Sequence, residues 1–299
     1  MKKSIFILLI LLFAIDAFSQ DEKDWQRLRT DDGEMAVKFP AGCYSNFYDP
    51  NGITIYDPDK REHYLLTQMR LISCFHDRTL MTLEIYETEQ SREAAKVLQK
   101  NLKIDGEELN IGENFYSVEK TGKTDKYSSK QRIIAGKKHV YIFTTAARGE
   151  PLDTMQIFLD SISFTADPGL VTEKNSVLIS SLENTLPEVV TPTEADEKKT
   201  ADPESGKVLE MLTPVVRISI PAAFYTEAAR QKRTIGRVVL RLTLGADGRI
   251  SQLQVVRGLP FGLLREAIIA ALRIKFLPAE LDGAPRSTTQ LIEYSFGRS

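Results

Sequence analysis

The sequence predicts an α+β protein of two small domains, each an antiparallel sheet covered by helices, and three observations carry that prediction. Both halves hold short segments whose apolar residues recur at every second position, cut by turns such as Gly136-Lys137-Lys138, Asp247-Gly248 and Asp282-Gly283. Each half also holds one or two segments with apolar residues at helical spacing. Between the halves, the stretch from Thr185 to Gly206 is rich in Pro, Thr, Glu, Asp and Lys and has almost no large apolar residue, which marks a boundary.

The N-terminus reads as an address. Lys2 and Lys3 precede an apolar run from Ile5 to Ile15, and Ala17-Phe18-Ser19 supplies small residues where a signal peptidase cuts. Residues 1–19 are therefore expected to be a cleaved signal peptide, leaving a chain that starts at Gln20. The run is shorter than the roughly 20 apolar residues of a transmembrane helix, no cysteine follows it to carry a lipid, and no transmembrane span is expected elsewhere. The expected location is the periplasm, or outside the cell.

Residues 21–167 read as the first α+β domain. Met35–Pro40 is a short strand ended by proline, and Ile53–Tyr56, Tyr64–Ser73 and Arg78–Glu87 follow as further strands. Ser91 caps a helix that carries Ala94, Ala95, Leu98 and Leu102 on one side and ends at Asp105-Gly106. Ser117–Thr121, Lys130–Ala135 and His139–Thr145 return to strand character. A helix over Asp153–Ser161 turns Met155, Phe158 and Leu159 inward, and Ile162 and Phe164 complete the core. The two cysteines, Cys43 and Cys74, are either joined or buried as thiols, and an oxidising compartment favours the disulfide. Closing that loop would stabilise the domain by roughly 3 to 4 kcal/mol on the chain-entropy model.

Residues 168–208 read as an acidic flexible linker, in which only Val177, Leu178, Ile179 and Leu182 could dock on a neighbour. As a coil it would span roughly 35 Å, so the domains are expected to be tethered rather than fused.

Residues 209–299 form the second domain. Tyr225, Ala228 and Ala229 give a short helix one apolar side. Val238, Leu240, Leu242 and Leu244 alternate with Arg237, Val239, Arg241 and Thr243, Asp247-Gly248 turns the chain, and Ile250, Leu253 and Val255 return it as a hairpin. Leu264, Ala267, Ile268, Ala271 and Leu272 make one helical stripe, with Arg265, Glu266 and Arg273 off it. Phe276-Leu277-Pro278-Ala279 stops that helix, and Ser287–Phe296 is a closing strand with Gln290, Ile292, Tyr294 and Phe296 on one face.

In that order, Tyr225-x-x-Ala228-Ala229, Gly236-x-Val238-x-Leu240, Asp247-Gly248, Leu264-x-x-Ala267-Ile268, Lys275-Phe276-x-Pro278-Ala279 and Gly283-x-Pro285 resemble the C-terminal domain of TonB family proteins. Two positions depart from the family: Tyr225-Thr226 stands where a Tyr-Pro is usual, and Ile274-Lys275 where a Trp precedes the Phe-x-Pro element. The resemblance implies a TonB-like α/β sandwich that meets a periplasmic segment of an outer-membrane transporter, or another envelope protein, along its closing strand. Carried over by position, that edge is Ser287, Thr288, Thr289, Gln290, Leu291, Ile292 and Glu293. An exposed edge offers unpaired backbone donors and acceptors, which an extended peptide completes.

An enzyme is not expected. There is no Gly-x-Ser-x-Gly elbow, no phosphate loop and no His-Glu-x-x-His, and His63, His76 and His139 lie far apart in sequence, so neither a catalytic residue, a metal ligand nor a cofactor is assigned. At 299 residues, 42% hydrophobic and 27% charged with a formal net charge of −2, the composition suits a two-domain globular protein and gives no argument for nucleic acid. Two alternatives stay open: a TonB-type energy transducer, should the N-terminal segment be retained as an anchor, and a structural envelope module or homodimer built by edge pairing.

Overall fold

The computed structural model describes residues 24–112, 114–165, 176–190 and 212–297. The signal segment and most of the expected linker lie outside the described residues.

The first domain begins with β1 (Trp25–Arg29) and β2 (Met35–Pro40), an antiparallel pair. A large antiparallel sheet follows from β3 (Tyr44–Asp49), β4 (Ile53–Asp57), β5 (Glu62–His76) and β6 (Thr79–Glu87). Helix α1 (Ser91–Asn101) leads into β7 (Glu107–Glu108), β8 (Tyr116–Lys123), β9 (Tyr127–Ala135) and β10 (His139–Arg148). Helix α2 (Asp153–Asp160), β11 (Ser163–Phe164) and β12 (Ser176–Leu178) complete the domain. The sheet runs β3-β5-β6-β10-β9-β8-β7, with β4 also on β5. β5 serves two neighbours because its 15 residues offer successive stretches, Glu62–Leu66 to β4 and Met69–Cys74 to β3; between them it breaks register with β6, with Gln68 at φ 49°, as a bulge.

β6 and β10 are buried along nearly their whole length, as strands covered on both faces must be. On one face Met81, Leu83 and Phe143 pack with the β1–β2 pair and with Phe158 of α2. On the other, Tyr86 and Ile142 meet Ala94 and Leu98 of α1. Ser91 is not the cap expected of it. Gln90 occupies that position, while the Ser91 hydroxyl donates to the Gly136 carbonyl at 2.5 Å and ties α1 to the turn before β10. Cys43 and Cys74 form a disulfide, Cα to Cα 5.5 Å, beside the Tyr44–Cys74 register pair that joins β3 to β5.

Part of the expected linker is structured. β12 adds in parallel to β1, Ile179 enters the core, and Asn46 binds the Leu182 and Glu183 carbonyls. The few apolar residues of the stretch supply the burial that its acidic remainder lacks. A further short strand, β13 (Glu188–Val190), lies parallel to a strand of the second domain.

That domain comprises β14 (Leu212–Thr213), β15 (Val216–Ser219), α3 (Glu227–Gln231), β16 (Gly236–Leu244), β17 (Ile250–Arg257) and α4 (Leu263–Leu272). β18 (Lys275–Leu277), β19 (Ala279–Leu281), β20 (Ala284–Arg286) and β21 (Thr288–Phe296) close it. Its main sheet runs β13-β17-β16-β21. The inward set Val238, Leu240, Leu242 and Leu244 packs on Leu263, Ala267 and Ala271 of α4. The Thr226 hydroxyl accepts the Ala229 amide at 3.2 Å and caps α3.

The domains are docked rather than merely tethered, a correction to the sequence reading. Leu80 and Ala146 of the first domain form one apolar cluster with Val216 and Leu277 of the second. Ile269 on the far side of α4 enters the first domain's core. Charged groups reinforce the contact: Arg265 meets Asp49 at 2.6 Å, Arg148 meets Glu280 at 3.1 Å, and Glu84 meets both Arg273 and Lys275. Helix α4 is thus held between its own sheet and its neighbour, and Arg265, off its apolar stripe, lies at the contact with the first domain.

Candidate functional site

Ser287 ends the turn that delivers the closing strand, and its hydroxyl accepts the Ala246 amide at 3.0 Å. From there β21 runs antiparallel to β16 over its full length of 9 residues, in register Thr288–Leu244, Thr289–Thr243, Gln290–Leu242, Leu291–Arg241, Ile292–Leu240 and Glu293–Val239. Among the described residues β16 is its only strand partner, so β21 is a sheet edge. The seven residues singled out in the sequence therefore lie in one row along one margin.

Period two sorts their side chains. Ile292, with Tyr294 and Phe296 beyond it, points into the core, while Leu291 stands 58% exposed on the outer face. Around Leu291 that face is polar: Arg237 pairs with Glu293 at 2.9 Å, Arg241 donates to Gln254 at 2.6 Å, and the Thr243 and Thr289 hydroxyls lie 3.4 Å apart. Burial pushes the Tyr294 hydroxyl well above its ordinary range, and that oxygen has no hydrogen-bond partner. The strand is anchored by its inward residues and leaves its backbone margin open.

On the opposite side β17 is partly covered by a short strand, β13, which is the outer strand there. β13 pairs in parallel with β17, Glu188 beside Gln252, Val189 beside Leu253 and Val190 beside Gln254. No sequence signal marked this, since three residues within an acidic stretch carry too little periodicity to read as a strand. Two side-chain groupings were also missed because their members are distant in the chain: Glu84 with Arg273 and Lys275, and Asp32 with Glu34 and His139.

Residues 221–297 match the family described as the Gram-negative bacterial TonB protein C-terminal. No curated protein matches the chain. A crystal structure at 1.50 Å of a protein from Bacteroides thetaiotaomicron VPI-5482 is similar at 9% identity and a TM-score of 0.30, over 48% of this chain and 50% of that one. The chain thus spans about half the length of that protein. No helix among the described residues is long and apolar enough to cross a membrane. With a helix, hairpin, helix and closing strand in that order, the segment 221–297 carries the match to the TonB C-terminal family.

Proposed function

We propose that this is an exported, non-enzymatic protein of the periplasm, or a secreted one, whose TonB C-terminal domain takes an extended peptide from an outer-membrane transporter or another envelope partner as an added strand along Ser287–Glu293. The observation that carries the reading is the placement of the 9-residue β21 at an edge of its sheet, the other end of which is the 3-residue β13. That β13 is itself an extended segment seated on this sheet supports strand addition as its mode of recognition. The Cys43–Cys74 bridge supports a compartment outside the cytoplasm. In this reading residues 21–167 form the first domain, 168–208 the connecting stretch and 209–299 the binding domain, with residues 1–19 removed on export.

Titration of the full mature chain with peptides from the exposed N-terminal segments of such transporters tests it. Amide resonances of Thr288 to Phe296 should shift, and N-methylation at alternate peptide residues should weaken binding for one alternate set alone, because only every second residue of an added strand faces the edge. Absence of binding at about 1 mM would remove the proposal, since strand-addition sites with a matching peptide bind more tightly than that. A mass that doubles with concentration, and falls when Leu291 is changed to Lys, would instead assign the edge to a second copy of the chain.

A further inference from the structure

Far from that edge, the turn between β1 and β2 and the start of β10 gather three side chains of metal-ligand type. Gly33, at φ 70°, donates its amide to the Thr30 carbonyl at 3.0 Å and so makes the turn that carries Asp32 and Glu34. His139 opens β10 after the turn at Gly136, where any side chain would collide with the Glu34 carboxylate: a Cβ there would lie 2.3 Å from Glu34 Oε2. The glycine thus lets that carboxylate sit against the backbone beside the histidine.

His139 Nδ1 lies 3.4 Å from Asp32 Oδ2 and 3.6 Å from Glu34 Oε2, and the three ligand atoms fall within 4.8 Å of one another. These separations are too long for good hydrogen bonds. His139 Nδ1 is sealed from solvent and faces these two carboxylates. Around an ion with bonds of about 2.1 Å, the edge of a ligand tetrahedron is about 3.4 Å, which matches both spacings. The outer contacts hold the ligands in place. The Tyr141 hydroxyl donates to Glu34 Oε2 at 2.9 Å, the Lys137 amide donates to Glu34 Oε1, and the Glu34 amide donates to Asp32 Oδ1 at 3.0 Å, leaving Oδ2 turned to the histidine. A cavity of about 610 Å³ lined by Asp32, Glu34, Asn114 and Phe115 adjoins the group, with room for a water or an exogenous ligand. Lys137 and Lys138 line it too, and Lys138 is turned toward Glu89 at 3.8 Å.

We propose that Asp32, Glu34 and His139 bind one divalent transition-metal ion, and that it is zinc, which suits one imidazole and two carboxylates in a tetrahedral site with one open position. This assignment is independent of the peptide edge.

The full mature chain, free of any tag and stripped with chelator, is titrated with cobalt(II) and then with zinc. Binding of one cobalt per chain, with the intense visible absorption of a tetrahedral ion that zinc then abolishes, is the expected result. Asp32→Asn, at a half-exposed position, and His139→Gln should each weaken binding by at least about tenfold, with the near-ultraviolet circular dichroism of the parent retained, while His76→Gln leaves it unchanged. Should His139→Gln fail to fold, Asp32→Asn alone decides. No cobalt spectrum in the parent chain, or one that Asp32→Asn leaves intact, overturns the proposal.

Discussion

Arg273 donates its Nε to Glu84 Oε2 at 3.0 Å across the boundary between the two domains, with the side chains only 9% and 2% exposed. Lys275 Nζ reaches the other oxygen of Glu84 at 2.5 Å and the Thr144 hydroxyl at 3.0 Å, and Tyr86 donates to Oε2 as well. A buried group of this kind contributes little against a well-packed apolar replacement, but it is costly to break on one side only. Glu84→Gln leaves two buried cations without their counter-charge and is expected to lower unfolding free energy by about 3 to 5 kcal/mol in a denaturant titration. The triple variant Glu84→Leu, Arg273→Met, Lys275→Met should recover most of that loss.

The same carboxylate makes stability depend on acid. Burial alone would raise the Glu84 carboxyl, but the charges of Lys275 and Arg273 outweigh it and hold the group at about 2. In an unfolded chain a glutamate titrates near about 4.3. A group lowered by folding contributes stability that is complete above the unfolded value and is lost as pH falls through the folded one. The difference in unfolding free energy between parent and Glu84→Gln should therefore be constant from neutral pH to about 5, then shrink by about 3 kcal/mol on approaching pH 2. A difference that stays flat across that window would contradict the assignment.

Tyr294 buries a hydroxyl with no partner on the strand that carries the candidate edge. Removing an unsatisfied buried group relieves its desolvation cost. Tyr294→Phe should thus leave stability unchanged or raise it by up to about 1 kcal/mol, as read by thermal unfolding, and it should leave peptide binding at β21 intact.

Thr226 holds the first turn of α3 through the Ala229 amide, and its hydroxyl also donates to the Phe261 carbonyl at 2.6 Å, linking that helix to the loop before α4. Thr226→Ala should cost about 1 to 2 kcal/mol, whereas Thr226→Ser, which keeps the hydroxyl, should cost less than half as much.

Removing the Cys43–Cys74 bridge by the double change to Ala should destabilise the chain by roughly 3 kcal/mol. Native-state hydrogen exchange should accelerate first in β3, which holds the edge of its sheet and pairs with β5 alone among the described residues.

What the sequence made legible is what depends on neighbours in the chain. Val238 to Leu244 alternate because one strand face meets a helix, and that pattern survives without knowledge of anything else. The closing strand was legible for the same reason, through its own period and the turn before it, whereas the choice of Ser287 to Glu293 within it came from the resemblance alone. Arg273 and Lys275 were not, because a charge off a helix stripe reads by default as facing water, and their partner Glu84 is 189 residues from Arg273. His139 looked isolated on the same logic: Asp32 and Glu34 come to it only through the pairing of distant strands. β13 escaped notice because three residues in an acidic stretch gain strand character from the edge they join rather than from their own composition.

The seating of β13 on β17 shortens one margin of the C-terminal sheet. A strand that joins an edge leaves a new outer margin behind it, but the 3 residues of β13 offer far fewer backbone groups to a further strand than the 9 residues of β21. Any extension of this sheet is therefore directed to the β21 side.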